Sequence, residues 1–488
     1  MKKFILASVI LLFTLTSFSQ TIPKIEFGAL NENSRLYSYN IKAIGSDETA
    51  IYSKKKGIYF PDGTIVKHDK SMKFIKKNKI ELKKGRSLEF ICYFNDKIYV
   101  FSLELNKKKK KNTLYAQTVN KETLELNDDE KIIIDVKYTS NNKFFGVRLQ
   151  EYSFGSISSD GTKLIISHLA YGSAIKYRKN PDKINSGIYV FDGNLNLLWN
   201  QSKLLANEAS LLDNDGNFYS IINQTLISVT NNGETKKEYI LDSDKERFFF
   251  DYRTKTNSEG EIIFAGLYKN GSAAINKSDF NSQGNYKHFT DGTFLVKFNP
   301  TNKSISDVVF DDYNSPLYDC HMKDLILTED GSITLMEKFY TEEKIKEKIT
   351  TTTNQYGNTT GIDRDRTSTT LFIHEDIIVL KRNHEGVELW TKDIQKKQRS
   401  SNRNAISFNF IYLENSLFLL YYEIVDKKLV YYMVEVTMFT EEKKSILFSE
   451  PKVELRIIPN FTLYNKDKNE LILYGVHKNY HGLLSITF

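Results

Sequence analysis

Short apolar runs separated by polar turns recur along the whole chain. "SISSDGTKLIISHL", Ser156 to Leu169, reads as two short strands folded about Asp160-Gly161. The same signal returns in "FICYFNDKIYVFSLEL" at Asn95-Asp96, "ASLLDNDGNFYSIIN" at Asp215-Gly216 and "RTKTNSEGEIIFAGLY" at Glu259-Gly260. It continues in "DLILTEDGSITLMEKFY" at Asp330-Gly331, "FNFIYLENSLFLLYYE" at Glu414-Asn415 and "FTLYNKDKNELILYG" near Lys466-Asp467. A weaker copy, "YNIKAIGSDETAIYS", turns at Ser46-Asp47. Asp, Asn and Gly are the residues that tight hairpin turns demand, because they accept positive φ or hydrogen-bond their own backbone.

Several of these hairpins are followed by a second one: "GIYVFDGNLNLLWN", "TLISVTNNGETKKEYIL", "TFLVKFNPTNKSISDVVF" and "IIVLKRNHEGVELWTKDI". Two hairpins make a four-stranded unit. A lone sheet of that size leaves both faces wet, whereas a ring of such sheets packs them face to face. The pattern predicts an all-β fold, a β-propeller of eight four-stranded blades, or seven if the weak first copy is misread. The last unit ends at "GLLSITF" with three strands, and Pro23–Leu30 is the expected fourth, pairing the N- and C-terminal strands to close the ring. The ending Gly482–Phe488 also alternates as membrane-barrel strands do, but many other strands are short and carry lysines on both faces.

The ends and the charge refine this picture. Residues 1–19 carry Lys2 and Lys3, an apolar stretch from Phe4 to Phe13, and Ser17-Phe18-Ser19 before Gln20. That is the pattern of a secretory signal peptide cut before Gln20, which predicts an exported protein in the periplasm or at the surface of a Gram-negative-type bacterium. Residues 20–488 then form a single domain, with no later stretch apolar enough for a transmembrane helix. The chain has 29 tyrosines and 32 phenylalanines against 7 prolines, a strand-favouring balance. Two cysteines, Cys92 and Cys320, make no disulfide framework and read as buried thiols, with a bridge as the alternative. The net charge is +7, yet the stretch from Lys54 to Lys111 alone holds 18 Lys/Arg against 6 Asp/Glu. It includes the run Lys107, Lys108, Lys109, Lys110 and Lys111. So local a concentration marks either a solvated loop or a surface for an acidic partner, a protein or an anionic polysaccharide rather than nucleic acid.

Two of the second hairpins end in Leu-Trp: Leu198-Trp199, and Leu389-Trp390 in "LKRNHEGVELW". The latter, with Gly386 four residues before Trp390, resembles the quinoprotein-type propeller repeat, whose tryptophan docks between neighbouring blades. "SSDGTKLIIS" is similar to repeats of WD-like and translocation-associated bacterial propellers, and the whole resembles secreted bacterial β-propeller repeat proteins. The resemblance implies structural roles for Trp199 and Trp390. Quinoprotein dehydrogenases imply adjacent cysteines and a calcium-quinone pocket. Cys92 and Cys320 are not adjacent, so no catalytic residue and no cofactor carries over.

Candidate chemistry is sparse. Asp213-Asn214-Asp215-Gly216-Asn217 has calcium-loop composition, but its glycine comes fourth and Gln224 stands where a bidentate Glu is required, so a turn is the better reading. His477 and His481 fall in a strand-turn-strand segment and the other histidines are singletons, so no metal site is expected. No nucleophile elbow, phosphate loop or zinc-binding motif occurs. The polar segment 344–370, "KIKEKITTTTNQYGNTTGIDRDRTSTT", reads as a rim insertion in the sixth unit, where Arg364 and Arg366 are candidates for docking an acidic partner. The expected function is a non-enzymatic binding or assembly module. The alternative is a propeller hydrolase or lyase acting on extracellular polysaccharide, with carboxylates or histidines lining a central pocket.

Overall fold

The computed structural model describes residues 23–27, 31–32, 39–43, 49–54, 63–69, 71–106, 108–109, 111–137, 157–169, 186–202, 204, 209–222, 224–234, 236–242, 247–271, 289–318, 320–353, 359–401, 406–413, 415–437, 443–449, 456–465, 468–477 and 480–488. Among them there is no α-helix, and the strands divide among eight antiparallel sheets. The first sheet comprises Tyr39–Ala43, Thr49–Lys54, Gly63–His68 and Phe74–Ile80; the second Arg86–Phe94, Lys97–Asn106, Lys111–Val119 and Lys131–Lys137. The third has Leu164–Leu169, Ser186–Phe191 and Leu197–Ser202, and the fourth Leu211–Leu212, Phe218–Ile222, Thr225–Val229 and Lys236–Ile240. The fifth holds Arg247–Thr256, Ile262–Asn270, Phe289–Asn299 and Ser304–Tyr318. Cys320–Thr328, Gly331–Thr353, Thr359–Arg382 and Glu388–Ile394 form the sixth, with Gln398–Ser400 added beside the third of these. Asn409–Leu413, Ser416–Val425, Lys428–Val436 and Lys443–Ser449 make the seventh. In the eighth, Arg456–Asn465, Glu470–His477 and Tyr480–Thr487 are joined by Lys24–Phe27, which pairs antiparallel with the last strand from Lys24↔Thr487 to Phe27↔Leu484.

Local chemistry sets these hairpins. Asn95 and Asp96 take φ of 46° and 57°, the two left-handed residues of a turn whose twist matches its strands. At Asp192, Asp213, Asn257 and Asn383 the side-chain oxygen accepts the backbone N–H four residues on, which is what the Asp/Asn turn signals accomplish physically. The third sheet is shorter than the others: the expected first strand of "SISSDGTKLIISHL" contributes a single bridge, Ile157↔Leu164, with Ser156 outside the described residues.

Adjacent strand residues point to opposite faces, and along inner strands such as Gly63–His68, Phe218–Ile222 and Ile262–Asn270 both faces are buried. Ile65 joins an apolar cluster with Leu88 and Val100 of the second sheet, while its neighbour Val66 packs on Ile458, Tyr474 and Leu483 of the eighth. Ile166 meets Phe90 and Phe101 of the second sheet, and Ile165 meets Phe218 and Ile227 of the fourth. Leu419 packs on Leu335 and Val379 of the sixth sheet, and Leu420 on Leu471 and Ile486 of the eighth. The fourth and fifth sheets share Leu226 with Phe264 and Phe294, and the fifth and sixth share Leu267 with Cys320, Met336 and Leu380. Consecutive antiparallel meanders stacked face on face are the build of a β-propeller. Cys92 and Cys320 are buried free thiols in two different clusters.

The segment 344–370 departs from the irregular loop its polarity predicts. The second and third strands of the sixth sheet run on as a ribbon, paired from Lys344↔Thr369 to Thr353↔Thr359. Threonine and isoleucine are β-branched and favour extended backbone without needing a buried face, which is why the ribbon lacks apolar alternation. At about 3.4 Å per residue, residues 344–353 carry it roughly 30 Å from the sheet.

Candidate functional site

Two polar constellations stand out against the apolar seams. The first contains part of the basic tract. The strand pairing Arg86↔Glu104 places the link Lys83–Gly85 beside the turn that follows Asn106. Together Lys83, Lys84, Gly85, Arg86, Glu104, Asn106 and Lys108 line an open cleft of about 510 Å³. Arg86 forms its wall: it stacks 3.6 Å from the Tyr115 ring centroid and makes a two-pronged ion pair with Glu130. That guanidinium holds Glu130 below the usual carboxylate range, the effect of burial being outweighed. Lys83 also reaches Glu130, at 3.1 Å, whereas Lys84 and Lys108 are exposed with no ion pair among the described residues. Lys109 is exposed and Lys111 pairs with Asp135 at 2.7 Å; Lys107 and Lys110 lie outside the described residues. In the ribbon, Arg364 and Arg366 stand opposite Ile349 and Glu347, and their side chains lie outside what the structure describes. The cleft and the tract share Lys108; Arg364 and Arg366 belong to another sheet.

The second constellation lies where the fifth, sixth and seventh sheets meet. Glu337, on the second strand of the sixth sheet, is buried and ion-pairs with the buried Lys396 from the link beyond the outer strand. His374 Nδ1 sits 2.8 Å from Glu337 Oε2, and the Ser407 hydroxyl donates to that same oxygen at 2.7 Å. Lys396 also donates to Gln398 Oε1 at 3.0 Å, and that oxygen accepts the Ser407 N–H at 2.9 Å. Lys323, on the inner strand of the sixth sheet, donates to Ser407 Oγ at 3.2 Å. One strand-step away, His321 Nδ1 lies 3.2 Å from Asp251 of the fifth sheet. Burial pushes Lys323, Lys396 and His374 below their ordinary values. Burial also works against the Glu337 carboxylate, but Lys396, His374 and Lys323 outweigh it and hold Glu337 far below the usual range. Burial and then the Asp251 carboxylate push the Cys320 thiol up to about 12, which makes it unreactive.

Sequence reasoning missed this junction, because its members are singletons supplied by three sheets. Of its residues the sequence singled out only Cys320, His321 and His374, as isolated groups. The alternative of a glycan-cleaving enzyme expects converging carboxylates with displaced values, or histidines, in a deep axial pocket. Here the described carboxylates with clearly displaced values, Glu337, Asp251, Glu130 and Asp192 among them, are displaced downward. Asp213 gives its oxygens to the Asn217 N–H and amide and to the Tyr219 hydroxyl, as a turn residue does. His477 and His481 sit on paired strands around a hairpin. Trp199 is buried and its indole N–H donates to the Gly216 carbonyl of the next sheet at 3.0 Å; a Cβ on Gly233 would meet its side chain at 2.9 Å. Trp390 occupies the equivalent register position just after a bulge, half-buried against the seam of the sixth and seventh sheets.

No family model and no curated protein matches the chain. Among solved structures it is similar to the β-propeller domain of the Trilobed protease from Pyrococcus furiosus, at 10% identity and a TM-score of 0.32, covering 85% of this chain and 97% of that one. It is also similar to prolyl oligopeptidase B from Galerina marginata (8%, TM-score 0.36, 91% and 55%) and to Trypanosoma rangeli sialidase (8%, TM-score 0.30, 85% and 56%). The chain spans a little over half the length of the latter two. At these scores none of the three bears on what this chain does.

Proposed function

We propose that this chain is an exported eight-bladed propeller that holds an anionic polysaccharide in the cleft between Lys83-Lys84 and Lys108. Eight sheets, the apolar cluster joining Val66 to the eighth sheet, and the pairing of Lys24–Phe27 with Tyr480–Thr487 support a ring closed through its N-terminal strand. The leader-like residues 1–19 support export to the periplasm or cell surface.

The cleft's chemistry is the observation that carries the binding reading. Its lining is lysine, arginine, glutamate, asparagine and glycine, with no apolar side chain. Protein interface cores are depleted in lysine and built on apolar anchors, so such a lining suits a hydrated polyanion better than a protein surface. Arg86 is neutralised by Glu130 and shapes the wall, while Lys84 and Lys108 are left to meet carboxylate or sulfate groups.

Binding to heparin and to polygalacturonate, each measured across salt, tests this. The wild type should bind and weaken steeply with added salt, because exposed charges are screened within about 10 Å at 0.1 M. Lys83→Gln/Lys84→Gln/Lys108→Gln should lose roughly tenfold or more in affinity, about 1.4 kcal/mol, whereas Lys111→Gln, whose ammonium is already paired with Asp135, should change little. Equal binding by the triple variant would remove the cleft from the proposal.

A further inference from the structure

The ribbon of residues 344–353 and 359–370 is fastened at its root and unsupported beyond it. At the root the Phe339 ring stacks on Phe372, 6.3 Å between centroids, and lies 4.5 Å from the His374 ring. Gln398–Ser400 pairs with residues 372–374, and Arg399 reaches Glu342 at 2.8 Å. Further out the two strands pair only with each other. The first strand of the sixth sheet covers the edge as far as Lys338, and Gln398–Ser400 covers the other as far as Phe372, so both ribbon edges are unpaired among the described residues. A two-stranded hairpin is marginal in water, and three or more strands are needed for independent stability. An open edge, with its row of N–H and C=O groups, is a template for a further strand.

We propose that the ribbon joins two copies of this chain: residues 344–353 pair antiparallel with the same residues of a second copy, centred on Ile349, and the two ribbons become one four-stranded sheet. The inference does not depend on the anion-binding cleft, which belongs to another sheet.

The occupant follows from the sequence of this edge, which is complementary to itself. A two-fold axis through an antiparallel pair sets residues equally far before and after its centre opposite one another. Around Ile349 that brings Lys348 opposite the partner's Thr350, Glu347 opposite the partner's Thr351, and Lys346 opposite the partner's Thr352. Ile345 meets the partner's Thr353, and Ile349 meets its own counterpart. Every charge faces a threonine, and the remaining pairs are β-branched, as cross-strand neighbours favour. With the centre at Glu347 instead, Lys346 would face the partner's Lys348. The other edge serves less well. An axis on any residue of Asp363-Arg364-Asp365-Arg366 opposes a charge to its own kind, and one at Thr367 drives the partner's ribbon against Gln398–Ser400. On the proposed edge residues 339–343 stay clear, and the two roots stand roughly 34 Å apart at opposite ends of the sheet, at about 3.4 Å per residue.

Analytical ultracentrifugation of the full mature chain, with cysteine cross-linking, tests this. The wild type should sediment as a dimer by roughly 100 µM. Ile349→Cys sets two thiols opposite each other, about 5 Å apart between Cα atoms, so mild oxidation should give a covalent dimer on a non-reducing gel. Thr353→Cys, whose two copies would stand roughly 27 Å apart, should not cross-link. Cys92 and Cys320 are buried and leave the readout clean. Thr350→Lys sets a lysine against Lys348 on both sides of the axis, yet within the ribbon position 350 faces Asp363 and gains an attraction. Its dimer Kd should rise roughly tenfold or more without a fall in melting temperature. A wild type that stays monomeric at that concentration would overturn the proposal and leave the ribbon to a different protein. So would a dimer that Thr350→Lys leaves intact, or one that cross-links equally from positions 349 and 353.

Discussion

The seam between the third and fourth sheets and the junction around Glu337 do the same mechanical work by opposite means. The first buries Ile165, Ile188, Val190, Phe218 and Val229 around Trp199, and its tryptophan places a single N–H on a carbonyl. At roughly 25 cal/mol per Å² of apolar area, such a seam is stabilised by removal from water alone, and no partner need be perfectly placed. The second buries Glu337, Lys396, Gln398, His374 and Ser407, with Glu337 accepting from Lys396 and Ser407 and Lys396 also donating to Gln398, while His374 Nε2 has no hydrogen-bond partner among the described residues. Ions lose hydration when buried, and their mutual attraction repays that loss only when the geometry is good. A blade seam does not need such a network, as the third and fourth sheets demonstrate.

The comparison is broken most severely at Glu337. Removing it in Glu337→Ala leaves Lys396 buried without its counter-ion, and the variant should lose about 3–5 kcal/mol of unfolding free energy in urea titration. Replacing the group together, as Glu337→Leu with Lys323→Met and Lys396→Met, should restore most of that loss, because an apolar set of similar volume suits a seam. If the triple variant is as unstable as the single one, the junction is not an ordinary seam in disguise. Acid separates the two designs by sign. Glu337 has a folded-state value below its unfolded one, so its contribution is complete above about pH 4.5 and is lost as pH falls beneath it. Chemical denaturation between pH 6 and pH 3 should therefore destabilise the wild type more than the triple apolar variant; parallel curves would contradict the assignment.

The two regions also differ in how far the sequence discloses them. The apolar seams are legible because consecutive residues such as Ile165 and Ile166 belong to unbroken apolar runs, and Asp/Asn/Gly turns mark where each run folds back. The strand at the N-terminal end follows the same logic, since Pro23–Leu30 is strand-like and the last unit lacks an outer strand; Lys24–Phe27 pairs there. The cleft is half legible: Lys108 stands in a conspicuous run, but Lys83 and Lys84 reach it only through the pairing of Arg86 with Glu104. The junction is not legible at all. Lys323, Glu337, His374, Lys396 and Ser407 are spread over 85 residues without a spacing rule, because register and sheet packing bring them together. The ribbon at 344–353 and 359–370 escapes for a different reason: both its faces are polar, so no alternation announces it, and only backbone pairing gives it shape.

The finest distinction is between the two tryptophans, which the sequence treats as equals. Both directly follow the extra residue of a bulge, Leu198 or Leu389, with Trp199 opposite Val190 and Trp390 opposite Lys381. Trp199 is buried, donates to Gly216 and lies against Gly233, whereas Trp390 is half-buried with Lys392 5.7 Å above its ring. Trp199→Phe keeps most of the aromatic area but leaves the Gly216 carbonyl without its donor, so it should cost about 1–3 kcal/mol. Trp390→Phe loses no protein hydrogen bond among the described residues and should fall within about 0.5 kcal/mol of wild type. Equal losses in thermal and urea melts would mean that register alone, rather than the seam each ring enters, decides what a tryptophan contributes at this position.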